Sequence, residues 1–353
     1  MENNLAANSF VRRDAGLDLL RVMAVVAVVW LHASSQRFVE AFPTAEWTVR
    51  VCYDALSRWC VPVFLMISGA LFLRHDRTIS LRHLFGKNVL RIVVAFLVWS
   101  YVYSFVKINA GPPSKSFSIL MAGPSHFWYL KMILGIYIAV PVFRAIATSR
   151  RAEQYFIVLA IVVAHLIPFT LSVMKNLTGQ PWVATLQGFY NSLYLNVAAG
   201  YGGYFVMGHY LYTYRPSARM RKVYYALGLV ALLAMVGGTI ACSHHMGKAV
   251  NWFINYLTPT VMGLSVAVFV LFTARPWQVG GRAQWWLTTA ARLSFGVYLV
   301  HVLYIRTAVA HGITSSWIHP AIGIPLYTLA IVAASFITVW PLSKIPYLNR
   351  YLL

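Results

Sequence analysis

Apolar residues in this chain fall in long runs rather than in alternation. Stretches of about 20 residues, the length an α-helix needs to cross a hydrocarbon core, recur from one end to the other with short polar gaps between them. Ten such helices are predicted, near residues 17–36, 51–73, 89–107, 127–147, 155–173, 192–214, 223–242, 251–273, 290–311 and 321–340. The expected fold is all-α: a polytopic membrane protein forming one domain over residues 1–353, with no separate soluble domain and no low-complexity segment. The opening MENNLAANSFVRRDAG has neither the n-region nor the cleavage site of a signal peptide, so the first span is expected to remain in the protein.

The polar positions inside these runs point to chemistry. DLLRVMAVVAVVWLHAS, residues 18–34, carries Asp18, Arg21 and His32, although each ionisable group in a membrane helix costs roughly 2.5–3.5 kcal/mol on insertion scales. Arg21 and His32 are about three turns apart, so they share a face roughly 16 Å long. Asp18 lies one turn before Arg21, within side-chain pairing distance. Ser35 and Gln36 extend the stripe outward. The second span runs back from the depth of His32 and begins YDALSRWCVP, with Asp54 and Arg58 at i and i+4. That spacing neutralises the pair; it fits both a surface pair at the headgroups and a pair that fixes the orientation or charge of His32. A neutral imidazole is the natural general base near pH 7, and sharing a stripe with Arg21 marks His32 as functional rather than as packing.

Composition agrees with the runs. Of 353 residues 59% are hydrophobic and 10% charged, far fewer charges than a soluble domain carries. A net charge of +21 would suggest nucleic acid on a soluble protein, but its distribution argues against that partner. Basic residues crowd the termini and every second gap (Arg12 and Arg13; Arg74, Arg77, Arg82, Lys87 and Arg91; Arg144, Arg150 and Arg151; Arg215, Arg219, Arg221 and Lys222; Arg275, Arg282 and Arg292; Lys344 and Arg350) and are sparse in the others. This is the positive-inside pattern, and it predicts two cytoplasmic termini in a membrane-lipid environment. Cys52 and Cys60 are about 12 Å apart along one helix, too far to bridge, and with Cys242 read as structural thiols. There are eight acidic residues and none beyond Glu153, so only Asp18 and Asp54 lie at membrane depth. A proton-coupled transporter would show more. The gap RHDRTISLRHLFGKNVLR holds five basic residues. It serves either as topogenic charge or as a site for a polyanion such as coenzyme A, whose arm would lead past Arg21 toward His32.

Four segments, in order, resemble the integral-membrane acyltransferase-3 family: DLLR with Arg21 ten residues before His32, SRWCVPVFLMISG, HFWYLKMILGIYIAVPVF, and LSFGVYLVH at 293–301. The stand-alone form is similar to the enterobacterial-common-antigen and exopolysaccharide O-acetyltransferases. The resemblance implies transfer of an acyl group, usually acetyl from acetyl-CoA, to a hydroxyl of a glycan. It implies that Arg21 and His32 are the essential pair, and that Arg91 and Lys87 match basic positions at the start of the third span. Lys87 stands where the family often has a second arginine, which weakens that match.

The expected enzyme is thus an acetyl-CoA-dependent O-acyltransferase of the bacterial inner membrane. Its donor phosphates would rest on Arg74, Arg82, Lys87 and Arg91. His32 would act as general base or transient acyl carrier, with Arg58 or Arg21 as oxyanion partner and Asp54 orienting His32 or holding Arg58. The acceptor, a cell-surface glycan or lipid-linked sugar, would meet His126, Trp128, Asn255, Tyr298 and His301. Asn251 and Asn255 are expected on one face, and Ser294, Tyr298 and His301 at i, i+4 and i+7 form either a packed polar seam or part of the site. Trp128 fits an interfacial anchor equally well. His244, His245, His311 and His319 have no carboxylate at ligand spacing, so no metal is expected. Polysaccharide synthesis or export proteins are the expected partners. The competing reading is a lipid-linked sugar or polysaccharide transporter without acyl transfer, although no internal repeat of the kind such carriers show is visible. A scaffold subunit of a polysaccharide synthase is a third.

Overall fold

A computed structural model describes residues 14–76, 80–105 and 121–352; Arg12, Arg13, Arg77, Lys107 and Lys115 lie outside the described residues. Its regular elements are all helical: α1 (Ala15–Ser34), α2 (Ala45–Ser57), α3 (Cys60–Phe72), α4 (Leu81–Phe105), α5 (Ser125–Ile138), α6 (Val140–Ala147), α7 (Arg150–Thr178), α8 (Pro181–Ser192), α9 (Leu195–Thr213), α10 (Ala218–Met246), α11 (Trp252–Thr273), α12 (Gly281–Ala310), α13 (Pro320–Leu342) and α14 (Pro346–Tyr351). Among the described residues eight spans are long and apolar enough to cross a membrane, or nine if the bent pair α5–α6 counts as one. The sixth predicted span, α9, is helical but interleaves glycine, tyrosine and histidine with its apolar residues and falls outside that group. The amphipathic connection α8 was not predicted.

Two Val-Pro pairs break helices where the site needs them broken. Pro62 has no N–H for the carbonyl of Arg58, and the second span parts into α2 and α3 at Arg58 and Trp59. Pro141 acts likewise after Tyr137, and α5 and α6 meet at 57°. Each proline removes the bond its N–H would have made to the carbonyl four residues back, so the chain bends instead of continuing straight.

Helix α1 packs on α2, α3, α11, α12 and α13 and so runs through the middle of the bundle. Its start is fixed by Asp14, whose carboxylate accepts from the amides of Gly16 (2.9 Å) and Leu17 (3.2 Å) and from the Tyr212 hydroxyl (2.7 Å). Its end is fixed by Arg50, a fully buried arginine that donates to the carbonyls of Ala33 (3.5 Å) and Ser34 (3.4 Å) and to the hydroxyls of Ser315 (3.1 Å) and Ser316. A cation on the last carbonyls of a helix satisfies them and complements the dipole. His32, in the same last turn of α1, is thereby held in place.

The closest crossing joins α3 to α9. A Cβ on Gly69 would strike the backbone of Phe205, and one on Gly208 the backbone of Met66, so the two helices touch main chain to main chain, as small residues permit in membranes. A buried His209–Glu153 contact of 3.1 Å ties α9 to α7.

Candidate active site

Three histidines from three distant parts of the chain meet at the end of the bundle that carries the α1–α2 connection. The His32 ring lies 5.2 Å from that of His301 and 6.4 Å from that of His126, and the latter two are 5.4 Å apart. Each is delivered by its own helix: His32 by α1, His126 by the first turn of α5 and His301 by the middle of α12. His126 and His301 are buried, whereas His32 is partly open. His301 donates through Nδ1 to the carbonyl of Tyr298 (2.6 Å), which leaves Nε2 of the neutral ring as a bare acceptor with no partner among the described residues. Neither ring nitrogen of His126 has a partner there either. The Tyr298 hydroxyl donates to the His126 carbonyl (2.7 Å) and locks α12 to α5. Among the described residues no group of three His, Cys, Asp or Glu side chains is arranged to hold a metal ion.

Beside the histidines stands a fixed cation. Arg58 donates through Nε and through Nη2 (2.9 Å) to the two oxygens of buried Asp54, the planar fork that suits a carboxylate. Its guanidinium lies 5.6 Å from the centre of the Tyr256 ring and within electrostatic reach of His32. Tyr256 stacks on Trp128 at 5.3 Å, and Trp128 lies 5.8 Å from Tyr201. These rings form an aromatic wall beside Arg58.

Toward the other end of the bundle a second polar group continues the stripe of α1. Arg21 lies within electrostatic reach of Arg91, Tyr129 and Tyr137. Arg91 reaches inward over the Phe295 ring (5.1 Å), and its Nε is buried without a hydrogen-bond partner among the described residues. Tyr129 in turn lies 5.6 Å from Tyr298, ring to ring. A file of arginines and tyrosines therefore connects Arg91 and Arg21 to the histidines.

A family model described as an acyltransferase domain matches residues 14–342, almost all of the chain. The chain belongs to the membrane acyltransferase-3 family. No curated protein and no solved structure matches it.

In this acyltransferase the predicted residues fall into two sets. His32, His126, His301, Tyr298, Asp54, Arg58 and Trp128 are brought together, and Arg21 and Arg91 extend them. The pair Asp54–Arg58 is not a surface pair: Asp54 is buried and holds Arg58 rather than His32. His126, placed by the sequence at the outer interface, is buried among rings because Pro124 and a short 3₁₀ turn carry it into the bundle before α5 begins. Arg74, Arg82, Lys87 and Arg91 do not gather. Arg74 pairs with Asp76, which raises its pKa through their hydrogen bond, and Arg82 and Lys87 are exposed. Lys87 is exposed on the π-helical stretch Leu84–Val89, whereas Arg91, in the α-helical part that follows, is half-buried. Asn251 and Asn255 do not share a helix face. The α-helical part of α11 starts at Pro259 with Thr258 as its cap, so both asparagines precede it and Asn255 is exposed on extended backbone.

Tyr256, Tyr129, Tyr103 and Arg306 belong to the site but were not singled out from the sequence. Arg306 had a readable signal, a cation inside a predicted membrane span. The tyrosines had none: one aromatic among 21 tyrosines in apolar runs looks like core. Gln36, read as part of the polar stripe, is structural. It accepts from the Ser315 amide (2.9 Å) and donates to the Tyr327 hydroxyl (3.3 Å).

Proposed function

We propose that this acyltransferase moves an acetyl group from cytoplasmic acetyl-CoA to a hydroxyl of a cell-surface glycan or lipid-linked sugar in a bacterial inner membrane. The observation that carries the reading is the position of His32, partly open, beside a guanidinium held rigid by Asp54 and joined through Tyr129 to Arg21 and Arg91. The donor's phosphates rest at the cytoplasmic end, with Arg91 the residue aimed inward, and the thioester extends along the file of tyrosines. His32 takes the proton of the acceptor hydroxyl as the oxygen attacks the thioester carbonyl, or attacks that carbonyl itself and passes the acetyl on. In either course the thiolate of coenzyme A leaves and takes up a proton. Arg58 faces the developing oxyanion with a charge that needs no reorganisation. The bare Nε2 of His301 is a second proton acceptor beside His32. The aromatic wall of Trp128 and Tyr256 stacks the sugar.

The test is transfer of radiolabel from acetyl-CoA to glycan by purified protein in lipid nanodiscs, without a gradient. His32→Ala should lose about a hundred- to ten-thousand-fold in rate while still binding acetyl-CoA. A folded His32→Ala protein with near-normal turnover would end the mechanism.

A further inference from the structure

The end of the bundle that holds the histidines has a cation no carboxylate answers. Among the described residues three acids lie there. Asp54 is taken by Arg58, Glu46 lies within reach of Arg50, and Glu40 is exposed on the α1–α2 connection. Arg306 has no ion pair with any of them among the described residues, although it sits inside the membrane-spanning helix α12. Five residues beyond His301, it is about 7.5 Å further along the axis. Its guanidinium is half-buried, 5.4 Å from the centre of the Tyr103 ring. That ring lies 5.3 Å from His126, and Tyr103 donates its hydroxyl to the Leu299 carbonyl (2.8 Å). Arg306 and His126 are within electrostatic reach of each other.

An unanswered intramembrane cation is expensive, and such residues mark binding sites or pathways. A packing role would be served by an apolar residue at less cost. An arginine one ring away from the histidine cluster, on its outer side, suits a ligand that brings its own negative charge. Carboxylate and phosphate are the groups that a guanidinium fork binds best.

We propose that Arg306 binds an anionic group of the acceptor, a carboxylate or a phosphate, so that the acceptor is an acidic glycan or a phosphorylated sugar rather than a neutral one. This rests on the acyltransferase reading above. The anion pairs with Arg306 while a neighbouring hydroxyl reaches His32, and the aromatic wall holds the ring between them. Arg306 is thus a specificity determinant and takes no part in moving the acetyl group.

The experiment uses purified full-length protein in nanodiscs, labelled acetyl-CoA, and as acceptor the polysaccharide of a strain lacking the gene, separated by anion exchange into acidic and neutral fractions. Label should enter the acidic fraction. Arg306→Gln should raise the acceptor KM about ten- to a hundred-fold, the loss of one charge-assisted contact, with the acetyl-CoA KM unchanged. Arg306→Lys should recover part of it. Label confined to neutral glycan, or an unchanged acceptor KM in Arg306→Gln, overturns the proposal while leaving the acyltransferase intact. Absence of any transfer by the unaltered protein sinks the activity and this proposal with it. Nanodiscs of phosphatidylcholine and of phosphatidylglycerol separate the two sources of anion: a defect seen only in the latter assigns Arg306 to a lipid headgroup and overturns the proposal. Should Arg306→Gln fail to fold, competition on the unaltered protein gives the answer. Glucuronate should inhibit transfer more strongly than glucose, and equal inhibition counts against it.

Discussion

Arginines decide much of this site, and they do so by being held in different ways. Arg58 is fixed by both oxygens of Asp54, whereas Arg91 is half-buried and its Nε has no partner among the described residues. The first suits a charge that must not move; the second suits one that waits for a ligand. Arg91→Ala should therefore raise the acetyl-CoA KM about ten- to a hundred-fold with the acceptor KM little changed, as read from initial rates with each substrate varied in turn. An unaltered donor KM in a folded variant would leave Arg91 a topogenic charge. Arg21→Lys should cost activity as well, because an ammonium does not reproduce the planar fork. Val29→Ala, whose side chain packs in a cluster with Ile324, Tyr327 and Ile331 of α13, serves as the control in the same assay and should stay active.

Elements, more than residues, explain what the sequence disclosed. The helices were legible because bilayer length is written as runs of apolar residues, and each predicted span is helical over most of its described length. His32 and Arg21 were legible because one helix carries both and its period places them on one face. The Asp54–Arg58 pair was legible as a pair for the same reason. What joins separate helices was not. That His126 and His301 meet His32, or that Tyr256 lies over Arg58, depends on crossings among α1, α5, α11 and α12 that no local period encodes. The scattering of Arg74, Arg82 and Lys87 was hidden for a different reason: a run of basic residues shows charge but not which cation pairs with Asp76 and which faces outward. The crossing of α3 and α9 offers a test at this scale. Gly69→Val places a branched side chain against the Phe205 backbone, and overpacking of this kind typically costs about 1–3 kcal/mol or more. The variant should melt well below the parent in detergent. Gly135→Val, where a Cβ meets nothing within 4 Å, should melt near it. Equal melting of the two would show that the crossing yields.

For the whole molecule the charge pattern makes a testable statement about orientation. Basic gaps alternate with gaps poor in charge, and from that pattern we propose that both termini lie in the cytoplasm and the histidines in the outer half. Thr178 and Ser217 are both exposed, one at the end of α7 and the other capping α10. A membrane-impermeant thiol reagent added to intact spheroplasts should label Thr178→Cys and leave Ser217→Cys untouched, in a background with Cys52, Cys60 and Cys242 replaced. The reverse pattern would invert the bundle and put the histidine cluster on the side of the donor.

The contact of main chain on main chain between α3 and α9 bears on how a single site would serve substrates from two compartments, as the proposed function requires. Carriers do so by rocking one half of the protein against the other around a central site. Here α3 and α9 meet main chain to main chain at Gly69 and Gly208, with no side chain at either point to act as a bearing. Arg58 lies just before α3, and Tyr201 in the first half of α9. Under the proposed function such a seam would hold the catalytic groups still while the two substrates come to them from opposite sides. On the proposed chemistry, what passes from one side of the membrane to the other is a two-carbon fragment, while the nucleotide and the sugar each remain in the compartment where they began.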